Sequence, residues 1–244
     1  MTTDKIISHN FFQQLLKDVE PFLKDAKIAD VELINKDVIP EIEYYIQNVN
    51  FYAIHLFELC KQLERAVELL SNFRFNSKNG ISRGEHLTYN VENYIIRLTS
   101  LTDRILQTVN AVFHLGINEK DINERVIINN LKITMTSLPA SFNEFRKVLQ
   151  NYVSERNVIV HRHSYIKKEL YVIEMLYHPL MTKETSINKD EAENLNQIRK
   201  ETLSYYLSKI KKEFKQTNEK CFEKLLLIFD DLDEQYSSMK LKLK

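Results

Sequence analysis

The residues of this chain best suited to chemistry lie in one short stretch, Glu155-Arg156-Asn157-Val158-Ile159-Val160-His161. The Arg156 guanidinium can hold a phosphate through its planar fork of donors, and the His161 imidazole can take up or release a proton near neutral pH. Together these two groups form a minimal set for acid–base chemistry on a phosphodiester. The stretch is therefore the first candidate site.

A helical setting decides which of these side chains can act together. Residues four apart lie on one face of an ideal helix, whereas residues five apart diverge by about 140°. Asn157 and His161 therefore share a face, and Arg156 lies at its edge. Either the long Arg156 side chain reaches that face, or the three β-branched residues at 158–160 loosen the helix, so a kink or a helix end is expected. The competing interpretation is an ordinary i,i+4 polar pair beside a surface arginine.

Long amphipathic helices are predicted to position this stretch. Ser141 and Glu144 have the spacing of a capping box, which predicts that the helix with the motif begins there, and it is expected to run to Tyr177. Gly116 occupies the place of a left-handed cap after the preceding long helix. The other predicted helices cover residues 5–24, 40–75, 85–115, 121–137, 190–216 and 218–240.

The composition favours one large all-α domain. The 244 residues include only three Gly and four Pro, while 43% are hydrophobic and 28% are charged. Few chain breakers and many apolar residues favour long helices over disorder or a sandwich of short strands. Residues 1–244 are therefore predicted to form a single helical domain.

Charge and hydropathy limit the expected partners and location. Lys+Arg and Asp+Glu balance at 34 each, so any nucleic-acid site must be local. The longest apolar clusters are far shorter than the roughly 18 residues of a spanning helix, and the N-terminus lacks the pattern of a secretory signal. A cytoplasmic protein without membrane contact is expected.

Cys60 and Cys221 are expected to be reduced packing residues.

Two segments of the chain resemble the HEPN superfamily (higher eukaryote and prokaryote nucleotide-binding). Arg156-Asn157, three apolar residues and His161 are similar to the Arg-polar-x-x-x-His signature of these helical bundles, which include many metal-independent ribonucleases of toxin and phage-defence systems. The helix at 89–104, with Val109-Asn110 and His114-Leu115-Gly116, resembles a bacterial branch of that superfamily. The resemblance covers about residues 40–178.

The resemblance implies an all-α, up-down antiparallel helical bundle with extra N- and C-terminal helices. Its core would cover about 40–178, and a C-terminal helical extension would cover about 188–244. The implied activity is that of a metal-independent endoribonuclease without a cofactor. Arg156 would bind the scissile phosphate, Asn157 would orient the site, and His161 would be general base or acid. RNA is the implied substrate, a homodimer would bring two motifs together, and an antitoxin protein is a further implied partner.

Nearby basic residues extend the candidate site. Arg162 and His163 could contact phosphate, although solvated surface groups explain them equally well. Arg97 and Arg104 lie on one polar stripe of the 85–115 helix and are weaker candidates for substrate binding, with a solvated face as the alternative.

The sequence departs from one HEPN subfamily at the positions after the motif. That subfamily carries a tyrosine two residues after the histidine, and a partner nucleotidyltransferase modifies it. Here that position is His163, and Tyr165 lies two residues further on. The mismatch puts this form of regulation in doubt.

Other classes of function stay open. The same bundle could be a non-catalytic module that binds RNA, a nucleotide or a protein partner, or a purely structural protein. Catalytic residues should be accessible to solvent, whereas structural ones should be buried against their own chain. A metal site is not predicted, because His161 and His163 point to different faces and Glu174 with His178 more readily form a surface pair. Three scattered glycines exclude a P-loop.

Overall fold

The computed structural model of the chain describes residues 2–25, 39–74, 80–162, 165, 167–178 and 188–244. These ranges contain no strand, so the predicted all-α fold class is confirmed. None of the described helices combines the length and apolarity needed to span a membrane. The helices are α1 (Thr3–Ile7), α2 (Asn10–Asp25), α3 (Glu41–Leu69), α4 (Arg83–Val112), α5 (Glu124–Ile128), α6 (Leu131–Thr134), α7 (Leu138–His161), α8 (Lys168–Leu176) and α9 (Lys189–Leu243), with a 3-10 turn at Glu119–Asp121.

Several segments divide differently from the prediction. The expected 5–24 helix is the pair α1 and α2, with Pro21 inside α2. The expected 121–137 helix is the pair α5 and α6, because two asparagines begin new helices there. Asn123 Oδ1 accepts from the Val126 N–H at 3.1 Å, and Asn130 Oδ1 accepts from the Lys132 N–H at 3.0 Å. The two expected C-terminal helices are the single helix α9 of 55 residues.

The capping box expected at Ser141 and Glu144 is not formed. Helix α7 begins at Leu138, about one turn earlier. Ser141 Oγ donates to the Ser137 carbonyl at 3.5 Å, and Glu144 pairs with Lys147 at 2.5 Å. Both side chains are therefore engaged elsewhere, inside the helix that they were expected to open.

Capping boxes begin two other helices. At α4 the Ser82 N–H donates to Glu85 Oε2 at 2.6 Å, and the Glu85 N–H donates to Ser82 Oγ at 3.1 Å. These hydrogen bonds from Ser82 hold the pKa of Glu85 below its ordinary value. At α9, Asn188 and Glu191 form the same reciprocal pair at 3.2 and 2.9 Å. Each box satisfies backbone N–H groups that a helix start leaves without partners.

The chain forms two compact units, and the first consists of the described residues within 1–61, 100–149 and 219–244. Its core is aromatic. Phe11 stacks on Phe229 with ring centroids 5.8 Å apart, Phe12 meets Phe229 edge-on at 5.1 Å, and Tyr45 stacks on Tyr236 at 5.7 Å. Such pairs contribute about 0.5–1.5 kcal/mol beyond the buried area. They fix α2 and the start of α3 against the end of α9.

Both cysteines lie in this first unit. Cys60 and Cys221 are buried and form no disulfide, so the prediction of packing residues is confirmed. Burial raises the pKa of the Cys221 thiol to about 12, which keeps it protonated and unreactive at neutral pH.

The second unit consists of the described residues within 62–99 and 150–218. Here Tyr94 of α4 stacks on Phe214 of α9 with ring centroids 3.6 Å apart. The Tyr94 hydroxyl also donates to Asn218 Oδ1 at 2.9 Å. A buried ring and a satisfied hydroxyl together seat α9 on α4 in this unit.

Helix α8 approaches α4 closely at a glycine of the second unit. A Cβ added at Gly84 would lie 2.6 Å from the Glu174 Cα, nearer than real Cβ atoms come. The Thr88 hydroxyl, one turn further along α4, donates to the Glu174 carboxylate. Only glycine permits this backbone contact, so Gly84 sets the position of α8.

Candidate functional site

The candidate motif lies at the C-terminal end of α7, in the second unit. The helix stays regular through the motif, because the Arg162 N–H donates to the Val158 carbonyl, four residues back, at 2.9 Å. Helix α7 ends at His161, so a helix end is found where a kink or an end was expected. The expected continuation to Tyr177 is wrong, since residues 168–176 form the separate helix α8.

Exposure to solvent separates the motif side chains. Asn157, His161 and Arg162 are exposed, whereas Arg156 is half-buried. Arg156 thus lies at the edge of the face that Asn157 and His161 share. His163 lies outside the described residues. Asn157, His161 and Arg162 are therefore accessible to solvent, as catalytic residues and an ordinary surface pair both would be.

Few contacts within the chain engage the motif side chains. Arg156 Nη1 donates to Asn157 Oδ1 at 3.3 Å. The His161 side chain forms no hydrogen bond or ion pair with any described residue. Five positions of a regular helix separate Arg156 from His161 by about 7.5 Å along the axis and about 140° around it. One phosphate could contact both only where the long Arg156 side chain extends towards the helix end.

The opposite side of the same helical turns anchors α7. Tyr152 is 9% exposed, and its hydroxyl donates to Glu213 Oε1 at 3.0 Å. The same hydroxyl is hydrogen-bonded to Thr217 Oγ1 at 3.1 Å. Burial raises the pKa of Tyr152, so its hydroxyl keeps the proton that these contacts use. The contacts tie α7 to α9 one turn before the motif.

Glu155 holds the chain that follows the motif. Its Oε1 lies 3.2 Å from Lys167 Nζ and accepts from the Tyr165 hydroxyl at 3.4 Å. The Tyr165 N–H donates to Glu92 Oε1 at 2.6 Å. Glu155 Oε2 is buried and has no hydrogen-bond partner among the described residues. Glu155 therefore holds Tyr165 and Lys167 close to α7, and Glu92 holds Tyr165 close to α4.

Tyr165 is a buried residue. It is 7% exposed, and burial together with the neighbouring Glu155 carboxylate raises the pKa of its hydroxyl. A modifying enzyme needs an accessible hydroxyl, and this one points into the second unit. Tyr165 is thus poorly placed for the tyrosine modification known from one HEPN subfamily.

Sequence reasoning missed Tyr152 and Glu155 as the residues that position the motif. Their i,i+3 spacing shows only that they share a helix face. The partners that give Tyr152 its role, Glu213 and Thr217, are 61 and 65 positions away in the chain. No local pattern could have identified them.

The two arginines of α4 contact glutamines. Arg97 Nη1 donates to Gln62 Oε1 at 2.6 Å in the second unit. Arg104 belongs to the first unit, where its Nη1 donates to Gln107 Oε1 at 3.0 Å. Neither contact neutralises the charge of its arginine. Substrate binding by Arg97 and Arg104 stays a prediction.

The donor groups for a metal are dispersed. Within the residues that the structure describes, no three His, Cys, Asp or Glu side chains are grouped to hold an ion. Glu174, which was weighed as a ligand with His178, accepts a hydrogen bond from Thr88.

Comparison with protein families identifies the family of this chain. The family model described as Cthe2314-like HEPN matches residues 39–233, which extends well beyond the 40–178 of the resemblance and includes most of α9. HEPN domains are helical modules related to nucleotides or RNA. No curated protein and no solved structure matches the chain. Because the matched segment spans most of its 244 residues, the chain belongs to the Cthe2314-like HEPN family, within the superfamily that the motif indicated.

Proposed function

We propose that this protein is a metal-independent endoribonuclease. Arg156 binds the scissile phosphate and stabilises the charge that develops on its oxygens. Asn157 orients the Arg156 guanidinium, and His161 acts as general base or general acid. The observation that carries the proposal is the exposure of Asn157 and His161, with Arg156 at their edge, on a helix end that buried contacts hold from behind.

The proposed reaction is a transesterification within RNA. The ribose 2′-oxygen attacks the adjacent phosphorus, and the bond from phosphorus to the 5′-oxygen of the next nucleotide breaks. The products carry a 2′,3′-cyclic phosphate and a 5′-hydroxyl. A base takes the proton of the 2′-hydroxyl and an acid gives one to the leaving 5′-oxygen, so the proton balance needs two acid–base groups. The charge on the phosphoryl oxygens needs a cationic donor, which is the role of Arg156.

A homodimer is part of the proposal. One motif supplies one histidine, whereas the reaction uses two acid–base groups, so a second copy of the chain would contribute the second His161. The similarity of the motif to ribonucleases of toxin and phage-defence systems further suggests action on cytoplasmic RNA under the control of an antitoxin protein. The chemistry assigned to the motif is the same whether or not an antitoxin protein controls it.

The test is cleavage of a long single-stranded RNA in the presence of EDTA. The purified protein should cleave it and leave 2′,3′-cyclic phosphate ends, and Arg156→Ala or His161→Ala should abolish cleavage. Arg125→Ala is a matched control, because it removes an exposed arginine of α5 outside the motif. Undiminished cleavage by the motif variants, or a requirement for a divalent metal, would contradict the assignment. RNA binding without cleavage would favour a non-catalytic module.

A further inference from the structure

The exposed aromatic rings of tyrosine and phenylalanine are concentrated in the second unit. All twelve tyrosines of the chain are described, and only Tyr89, Tyr171 and Tyr205 are exposed, at 68%, 55% and 69%. No described phenylalanine is exposed, and the chain has no tryptophan. The three exposed tyrosines lie on α4, α8 and α9 within the second unit.

These three helices are neighbours. The Thr88 hydroxyl of α4 bonds to Glu174 of α8. Glu169 of α8 pairs with Lys209 of α9 at 2.7 Å. Helices α4 and α9 also contact each other directly, where Tyr94 stacks on Phe214.

Helix periodicity places the tyrosines on the solvent side of these contacts. Tyr89 directly follows Thr88, and Tyr205 precedes Lys209 by about one turn. On α8 the exposed residues recur at i, i+3, i+4 and i+7, opposite its buried positions 170 and 173. This surface, which we call the tyrosine face, comprises Tyr89, Lys168, Tyr171, Val172, Met175, Tyr205, Lys209 and Lys212.

The charges of the tyrosine face suit a polyanion. Lys168 and Lys212 are exposed, and neither pairs with a described carboxylate. Lys212 lies seven positions after Tyr205, two turns along the same side of α9. Glu169, beside this face, is neutralised by Lys209. Unpaired positive charge thus accompanies Tyr171 and Tyr205, while the exposed carboxylates Glu85 and Glu201 lie one turn before Tyr89 and Tyr205.

The tyrosine face begins beside the motif. Lys167, the residue before α8, lies 3.2 Å from the carboxylate of Glu155, which directly precedes Arg156. Helix α8 therefore begins close to the residue that precedes the motif in the chain.

We propose that the tyrosine face binds a single-stranded segment of the RNA substrate by stacking its bases on Tyr89, Tyr171 and Tyr205, an inference that rests on the proposed function. Aromatic rings stack on any base and lysines hold the phosphates, which is the usual mode of sequence-tolerant binding to single strands. Duplex RNA keeps its bases stacked and paired, so it offers no base to these rings. The face therefore selects single-stranded RNA.

The experiment measures binding in the His161→Ala background, so that cleavage does not interfere. The probe is a fluorescein-labelled single-stranded RNA of about 16 nucleotides, followed by anisotropy. Each of Tyr89→Leu, Tyr171→Leu and Tyr205→Leu should raise Kd about tenfold, because the ring is lost while an apolar side chain stays. The matching Tyr→Phe variants keep the ring and should bind like the parent. Leu131→Ser, which removes a side chain 81% exposed on α6, is the control outside this face.

Salt dependence and a duplex probe give independent readouts. Lys168→Gln and Lys212→Gln should each reduce the slope of log Kd against log salt by about 0.7. A duplex of equal length should bind more weakly and respond little to the Leu variants. Unchanged RNA affinity in the Leu variants overturns the proposal, and a simultaneous loss of dimer in light scattering would assign the face to a second copy of the chain.

The outcomes separate this proposal from the nuclease assignment. Tyrosine-dependent binding by a parent chain that cleaves nothing would support the face and overturn the nuclease. Motif-dependent cleavage with tyrosine-independent binding would overturn the face alone. A parent chain that binds no single-stranded RNA overturns the face as well. Thermal unfolding of every variant identifies any that fails to fold, and the two lysine variants and the duplex probe then decide in its place.

Discussion

The two sides of the last turns of α7 differ in how their polar groups are satisfied. On the inward side, Tyr152 and Glu155 bond to residues distant in sequence. On the outward side, Asn157 and His161 are exposed, and the one contact found there joins Asn157 to Arg156 among the described residues. Buried polar groups need partners within the chain, whereas exposed ones are satisfied by water and stay available to a ligand. One side of the helix end therefore supports the fold, and the other side is accessible to a ligand.

The largest effect on activity should come from removing the arginine or the histidine of the motif. Arg156→Ala or His161→Ala should lower the cleavage rate by about 10²–10³-fold, because a charge donor or a proton-transfer group is lost. The melting temperature should stay that of the parent, since surface substitutions usually change stability by less than about 0.5 kcal/mol. Initial rates and circular-dichroism melts test both expectations. A large loss of stability in either variant would show that the outward side also supports the fold.

Gly84→Ala, at the contact between α4 and α8, should have the largest effect on stability. The new Cβ would lie 2.6 Å from the Glu174 Cα, and a backbone atom cannot move aside as a flexible side-chain end can. Overpacking of this kind costs about 1–3 kcal/mol. Denaturant unfolding measures it, with Gly116→Ala as the control. Gly116 has φ +68° but open space around it, so only backbone strain of about 1 kcal/mol is expected there. Equal stability of Gly84→Ala and the parent would contradict the close approach of α8 and α4.

Tyr152→Phe tests a single hydroxyl of the inward side. It removes the hydrogen bonds to Glu213 and Thr217, and a net cost of about 1 kcal/mol is expected. Tyr205→Phe is the matched control, because it removes the hydroxyl of an exposed tyrosine and should leave stability unchanged. The two denaturant midpoints are the measurement. Equal midpoints would mean that the inward contacts of α7 contribute nothing to the fold.

Local sequence signals predicted the helical class well and helix boundaries less well. The helices predicted at 190–216 and 218–240 left a break at residue 217, yet Thr217 and Asn218 are buried and bonded to Tyr152 and Tyr94, so α9 continues through them. Tertiary partners decide such positions, and a single sequence does not reveal them. The same pattern of Ser and Glu three apart occurs at Ser82, where the capping box does form, and at Ser141, where it does not.

In the candidate site, too, the sequence alone does not reveal which distant residues contact the motif helix. Spacing alone placed Asn157 and His161 on one face with Arg156 at its edge, and the exposures agree. The three β-branched residues at 158–160 predicted a kink or a helix end, and α7 ends at His161, directly after them. The salt bridge of Glu155 with Lys167 and its hydrogen bond with Tyr165 depend on the path of the chain after α7. A local pattern therefore finds the motif residues, whereas the residues that hold the motif helix in place are found only in the folded chain.

The smallest expected effect concerns the pH dependence of stability. It depends on His86, a histidine in the second unit. His86 Nδ1 lies 3.1 Å from Nη1 of Arg83, and burial, followed by the Arg83 charge, lowers the pKa of His86. The unfolded chain takes up a proton at His86 near the ordinary value of about 6.5, whereas the folded chain resists it to lower pH. The unfolded state therefore binds more protons in this window, and stability should fall as pH decreases through about 6.5.

His86→Gln should reduce that loss of stability, because Gln still offers Arg83 an acceptor but does not take up a proton. His161→Ala should leave the loss unchanged, because the His161 side chain contacts no described residue. Melting temperatures at about pH 7.5 and about pH 5.5, on either side of the ordinary histidine value, give both differences. If His161→Ala rather than His86→Gln removed the acid-induced loss, the outward histidine would be part of the folding energetics, and the two sides of α7 would no longer divide stability from function.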